Sequence, residues 1–116
     1  MAPRWIQGDV TRLPTLDVGD GYSLVFDFGC YHGLSAEQRL GYAAGVNAVT
    51  ASGTTLLVFS FTSGFRGPAP RGVSGDELLG DFGAGWELRS SSPARGLRLP
   101  PFLRRANPTW YRLHRT

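Results

Sequence analysis

The sequence predicts an α/β fold: a mostly parallel sheet with an antiparallel last strand. Three observations predict it. Tyr22–Phe28 and Thr54–Phe61 are rich in apolar and β-branched residues on both parities, the pattern of strands covered by helices on both faces. A helix-length segment, 36–50, lies between them, and strands separated by helices are the signature of a parallel core. Two later strand-like stretches, 86–90 and 109–114, have no helical segment between them, so one is expected to run antiparallel at the edge.

Taken in order, Arg4 to Val10 reads as a short strand, because Trp5 and Ile6 are bulky strand-formers ahead of Gly8-Asp9. Pro14 is expected to hold Leu13 extended. Asp17 to Gly21 is a loop, and Tyr22–Phe28 the next strand. The helix over 36–50 is opened by Ser35 with Gln38 three residues on, a capping box, and Leu40 with the alanines is expected to face the sheet. Gly53 suits a left-handed position ending that helix. Thr54–Phe61 is then the clearest strand, expected to be central and buried. A loop over 62–72 leads to a second capping box, Ser74-Gly75-Asp76-Glu77, and a helix over 75–82. Gly83-Ala84-Gly85 ends that helix. Alternation in Trp86-Glu87-Leu88-Arg89 marks a half-exposed strand, 93–108 a loop, and Thr109–His114 the last strand.

At 116 residues the chain is expected to form a single domain able to bury roughly 65% of its unfolded surface. Apolar content of 41% and charged content of 18% exclude a disordered composition. Cys30 is the single cysteine, so an internal disulfide is excluded. The sequence lacks both a signal-peptide core and a membrane-length apolar run, and a soluble, cytoplasmic protein is expected. All twelve basic residues are arginine. Six of them, Arg95, Arg98, Arg104, Arg105, Arg112 and Arg115, crowd the tail around Phe102, Trp110 and Tyr111. Basic residues among aromatics can hold single-stranded nucleic acid. A solvated strand face accounts for them more simply, and nucleic-acid binding is not the expectation. Cys30 and His32 are too few for a metal site, and none is expected.

The elements meet a family at three places. Gly8-Asp9-Val10-Thr11-Arg12-Leu13-Pro14 resembles the end of the third strand of class I S-adenosylmethionine-dependent methyltransferases. Tyr22–Phe28 with Gly29-Cys30-Tyr31-His32-Gly33-Leu34 resembles the fourth strand and its loop. Ser35 to Tyr42, then Ser52-Gly53-Thr54-Thr55-Leu56-Leu57-Val58, resembles the next helix, turn and fifth strand. The resemblance implies a partial Rossmann-like methyltransferase sheet, S-adenosylmethionine as cofactor and a small-molecule methyl acceptor. It places Asp9 and Val10 at the adenine, Asp9 as acceptor from the exocyclic amine, since a carboxylate only accepts hydrogen bonds. It places Asp27, Phe28 and Gly29 at the methionine end, at the carboxyl end of a strand where ligands of open α/β sheets sit. Tyr31 and His32 fall where the family presents residues to the acceptor, His32 as a candidate base.

The family opens with a strand and a glycine-rich loop, followed by a second strand ending in an acidic residue for the ribose; this sequence contains neither. The resemblance therefore implies the C-terminal half of the catalytic domain. The alternative is a catalytically inactive remnant acting as a protein- or RNA-interaction module. Without those strands the sheet must close up beside Tyr22–Phe28, leave an edge open, or pair with another chain. A homo-oligomer and a complementing chain are both compatible with that.

Overall fold

A computed structural model of the protein describes residues 2–61, 72–101 and 107–116. Strand β1 (Tyr22–Phe28) is followed by helix α1 (Ala36–Val49), strand β2 (Thr50–Ser60), helix α2 (Gly75–Phe82), strand β3 (Trp86–Pro93) and strand β4 (Thr109–Arg115). One sheet takes the order β1-β2-β4-β3. The expected 62–72 loop, with Phe102, Arg104 and Arg105 of the tail, lies outside the described residues except for Gly72.

The last strand is antiparallel to β2, as expected, with Val58 opposite Tyr111. The sheet as a whole corrects the expectation of a mostly parallel one. β4 inserts between β2 and β3, so only β1–β2 is a parallel pair, and β2–β4 and β3–β4 are antiparallel. A strand placed between its two predecessors converts one would-be parallel neighbour into two antiparallel ones.

The expected strand over 4–9 is absent: residues 2–9 are irregular, and Val10–Thr15 forms 3-10 turns kinked at Arg12. A strand needs a partner, and none of the described strands pairs with this segment. Pro14 sits inside the second turn, so Leu13 is not extended; just past the kink, proline's missing N–H costs little. The turns rest directly on α1, which offers glycines there. A Cβ on Gly41 would lie 3.1 Å from the Thr11 carbonyl oxygen, and one on Gly45 3.0 Å from Leu13 Cβ.

Both capping boxes form. Ser35 Oγ accepts from Gln38 N at 3.2 Å while Gln38 Oε1 accepts from Ser35 N at 2.9 Å, and Ser74 with Glu77 repeats the arrangement. The buried stripe of α1 is Arg39, Tyr42, Ala43, Val46 and Val49. Leu40 is 57% exposed, which corrects its expected place against the sheet. Alanines and glycines surround this helix, so its apolar stripe is faint, and the true one is displaced by one residue. Gly53 does not end α1 either. Helix passes into strand at Thr50, and Gly53, at φ +93, lies where β2 bulges against β1.

β2 is interior, with Leu56 and Val58 fully buried, while Thr55 and Leu57 are half-buried on the other face. Leu56 and Val58 join Tyr42, Ala43 and Val46 of α1, Leu78 and Phe82 of α2, and Leu113 of β4 in one core. Both helices therefore cover the same face of the sheet. The opposite face of β1 is open, contrary to the expectation of a strand buried on both sides: Leu24, Phe26 and Phe28 are exposed. Among the described residues, no helix is long and apolar enough to cross a membrane.

Candidate functional site

The carboxyl end of β1 is where the sequence places its chemistry, and Asp27 organises it. Its side chain points inward and is buried. One carboxylate oxygen accepts from Cys30 N at 2.7 Å, and the other from Tyr31 N at 3.0 Å and the Tyr42 hydroxyl at 2.6 Å. A carboxylate accepting several such bonds fixes the turn that leaves the strand. Gly29, at φ +90, makes that turn in a region costly for other residues.

Tyr31 and His32, expected to face an acceptor, are both buried and both committed. The Tyr31 hydroxyl donates to the Asp81 carboxylate of α2. Burial and that carboxylate push the hydroxyl far above the usual tyrosine range. His32 Nδ1 accepts from Phe61 N at 3.0 Å. A backbone N–H can only donate, so this nitrogen carries no proton, and the ring is neutral wherever the bond forms. Burial and the Arg39 guanidinium lower its pKa, outweighing Asp27 and the Gly29 carbonyl, which raise it. The geometry gives these two residues packing and positioning roles, and neither presents a free polar atom to an open surface.

Arg39 closes the assembly and was not foreseen. It is 4% exposed and donates to the carbonyls of Tyr31 (3.2 Å), His32 (2.9 Å) and Gly72 (2.8 Å). Its guanidinium lies 4.9 Å from the Tyr31 ring centroid and 3.5 Å from Glu77. Glu77 is largely solvated, so that ion pair adds little; the three carbonyls are the main reason for the arginine.

A cleft of about 260 Å³ lies between the end of β1, the 3-10 turns and α1. Val10 and Leu13 of the turns form one wall, and Tyr42 and Val46 of α1 another. Val25, Asp27, Phe28 and Cys30 complete it from the β1 side. The cleft thus brings together Val10, Asp27 and Phe28, three residues singled out in two separate segments. Asp9 does not line it. That carboxylate is exposed and caps its own turn, Oδ1 accepting from Thr11 N (2.9 Å) and Thr11 Oγ1 (2.7 Å), which lowers its pKa. Cys30 is exposed at the rim but forms a poor nucleophile, because partial desolvation of the thiol and the Asp27 charge raise its pKa. Among the described residues, no group of three or more His, Cys, Asp or Glu side chains gathers to hold a metal ion. In the arginine-rich tail, Arg115 is not free for a ligand: it donates to Asn47 O and Thr50 Oγ1, each at 2.7 Å.

The fold and cleft define an α/β protein with helices on one face of a small mixed sheet and a candidate ligand site at the end of its edge strand. No family model matches the chain, and no curated protein matches it. Nineteen solved chains match. One, described under "Conversion of a Disulfide Bond into a Thioacetal Group during Echinomycin Biosynthesis", superposes with a TM-score of 0.63 at 19% identity. It matches 93% of this chain, which spans about half (53%) of that protein. At that identity the likeness is one of fold.

Proposed function

We propose that the cleft beside β1 receives part of S-adenosylmethionine, the adenine against Val10 and the methionine end toward Asp27, Phe28 and Gly29. In this reading the chain is the cofactor-holding C-terminal portion of a Rossmann-like methyltransferase acting on a small-molecule acceptor. The observation that carries the reading is the convergence of Val10 with Asp27 and Phe28 on one cleft. The resemblance sets these two segments at different ends of one cofactor, and both border this one cleft. An inverted last strand beside β2 agrees with the sheet the resemblance implies.

The residues fit part of the cofactor. Val10, Leu13, Val25 and Val46 offer an apolar slot to a flat heterocycle. Val10 opens the 3-10 turn, where a backbone N–H has no acceptor within the turn and can donate to a ring nitrogen. Both hydrogen bonds to Asp9 fall on Oδ1, which leaves Oδ2 to accept from an exocyclic amine after a side-chain rotation toward the cleft. Gly29 permits close approach of a ligand to backbone. When bound, the cofactor supplies an electrophilic methyl group. The residues of this chain hold and orient it, and Asp27, Arg39 and Tyr42 keep the receiving turn rigid. Tyr31 and His32 act here as supports behind the site. At about 260 Å³ the cleft falls short of the roughly 300–1,000 Å³ of a complete small-molecule site. Weak binding by this chain alone is the corollary.

Calorimetry with S-adenosylmethionine tests the reading. Binding is expected to be weak, weaker still for Asp9→Ala, and abolished by Cys30→Trp, which fills the cleft from its rim. Binding unchanged by Cys30→Trp would place the cofactor elsewhere and reject the assignment. A second reading, an inactive methyltransferase-like module that binds protein, is favoured by the open face of β1. It predicts no heat with the cofactor at any concentration.

A further inference from the structure

We propose that His32 is an acid-sensitive latch between the carboxyl ends of β1 and β2: it holds Phe61, the residue after β2, while its ring is neutral, and releases it when Nδ1 takes a proton. The inference does not depend on the cofactor reading. His32 is 4% exposed on the turn that leaves β1, and its Nδ1 accepts from Phe61 N at 3.0 Å. A protonated Nδ1 can only donate, as can a backbone N–H, so the bond cannot survive ionisation of the ring. Two other holds beside it do not titrate. Arg39, a cation at any ordinary pH, donates to the Gly72 carbonyl at 2.8 Å. The Tyr111 hydroxyl, kept protonated by burial, donates to the Val73 carbonyl at 3.1 Å. Val73 itself is fully buried in the main core. Of the three side chains that hold this place, His32 alone changes charge near neutral pH.

The packing makes the release local. Phe61 and Phe59 form a small cluster with Ala94 and Trp110, apart from the main core of Leu56, Val58, Leu78 and Leu113. The His32 ring touches that small cluster, its centroid 5.0 Å from the Phe61 ring and 6.2 Å from the Phe59 ring. Segments with few core contacts open at a lower cost than the whole chain. The charges around the ring set which strand it stays with. Asp27 of β1 and the Gly29 carbonyl favour the ionised ring, and Nε2 lies 3.4 Å from where a Cβ on Gly29 would stand. Arg39 of α1 opposes ionisation, and β2 with its following residue faces the ring with the uncharged Phe59 and Phe61. The ionised ring therefore keeps to the β1 turn and gives up the β2 end. The Phe61 carbonyl accepts from Val73 N at 2.7 Å, so the amides of both residues report the release.

A nuclear magnetic resonance titration of the wild-type chain, downward from neutral pH, tests this. The Phe61 and Val73 amides should move with the ring carbons of His32 along a single curve, its midpoint below the ordinary histidine value of about 6.5. The amides of Leu56 and Leu113 should hold their native positions, and the far-UV circular dichroism spectrum its shape. His32→Asn should leave the Phe61 amide without this response, whereas His114→Gln, which removes the other histidine, should leave the response intact. A Phe61 amide that stays in place while the His32 ring takes its proton would overturn the proposal. So would a ring that stays neutral down to the carboxylate range. Loss of the Leu56 and Leu113 signals in step with Phe61 would also overturn it, because that marks unfolding of the whole chain.

Discussion

The Tyr42 hydroxyl donates a 2.6 Å hydrogen bond to the Asp27 carboxylate, tying the middle of α1 to the carboxyl end of β1. The same carboxylate holds the Cys30 and Tyr31 amides, so one buried group sets the relation of strand, turn and helix around the cleft. Burial and the Asp27 charge drive the Tyr42 hydroxyl far above the tyrosine range, so it remains a donor at any ordinary pH. Tyr42→Phe should cost about 1.5–3 kcal/mol in urea unfolding, the usual worth of a hydrogen bond to a charged group. Asp27→Ala should cost more, since it strands three donors. Equal and small losses for both would remove Asp27 from its organising place.

The His32 ring gives stability a specific pH dependence. Its folded pKa is lowered from the ordinary 6.5, chiefly by burial, so the folded state binds fewer protons than the unfolded one below that value. Its contribution is therefore complete above about pH 6.5 and is lost as pH falls toward the lower, folded value. Protonation of Nδ1 would also break the bond from Phe61 N. Unfolding free energy should decline as pH falls below about 6.5, while still above the ordinary carboxylate range, and His32→Asn should flatten that decline. A wild-type profile level through this window would contradict the stated protonation state.

Much of this architecture was legible in the sequence. The capping boxes at Ser35 and Ser74 fixed both helix starts, because the reciprocal bonds depend on local spacing alone. Thr54–Phe61 was found from its density of apolar residues. What escaped depends on contacts distant in sequence. The insertion of β4 between β2 and β3 is a matter of pairing, which no segment encodes by itself. The 4–9 stretch has strand-forming residues and no strand to join. Arg39 reads as an ordinary helix arginine, and only the placing of three carbonyls around it makes it a core residue. The cleft was half legible: Val10, Asp27 and Phe28 came from motifs, while Tyr42 and Val46 on its α1 wall were hidden by the faint stripe of that helix.

Gly45 sets the width of the cleft. A Cβ there would lie 3.0 Å from Leu13 Cβ and 3.4 Å from Leu13 Cγ, so the 3-10 turns can sit on α1 only because the side chain is missing. Gly45→Val should destabilise the chain by about 1–3 kcal/mol, the range for an overpacked contact. It should also move the amide resonances of Val10 and Leu13. A stable variant with unshifted resonances there would show that the turns are not seated through this glycine.

The central claim is that Val10, Asp27 and Phe28 border one cofactor cleft, with Val10 toward the adenine and Asp27 and Phe28 toward the methionine end. A titration of the labelled protein with S-adenosylhomocysteine, and separately with adenosine, followed by amide nuclear magnetic resonance, tests it most directly. S-adenosylhomocysteine should shift the amides of Val10, Phe28, Gly29 and Cys30, and adenosine, at higher concentration, that of Val10, while β3 stays unmoved. No shift at millimolar ligand, or shifts confined to residues away from the β1 end, would contradict the claim.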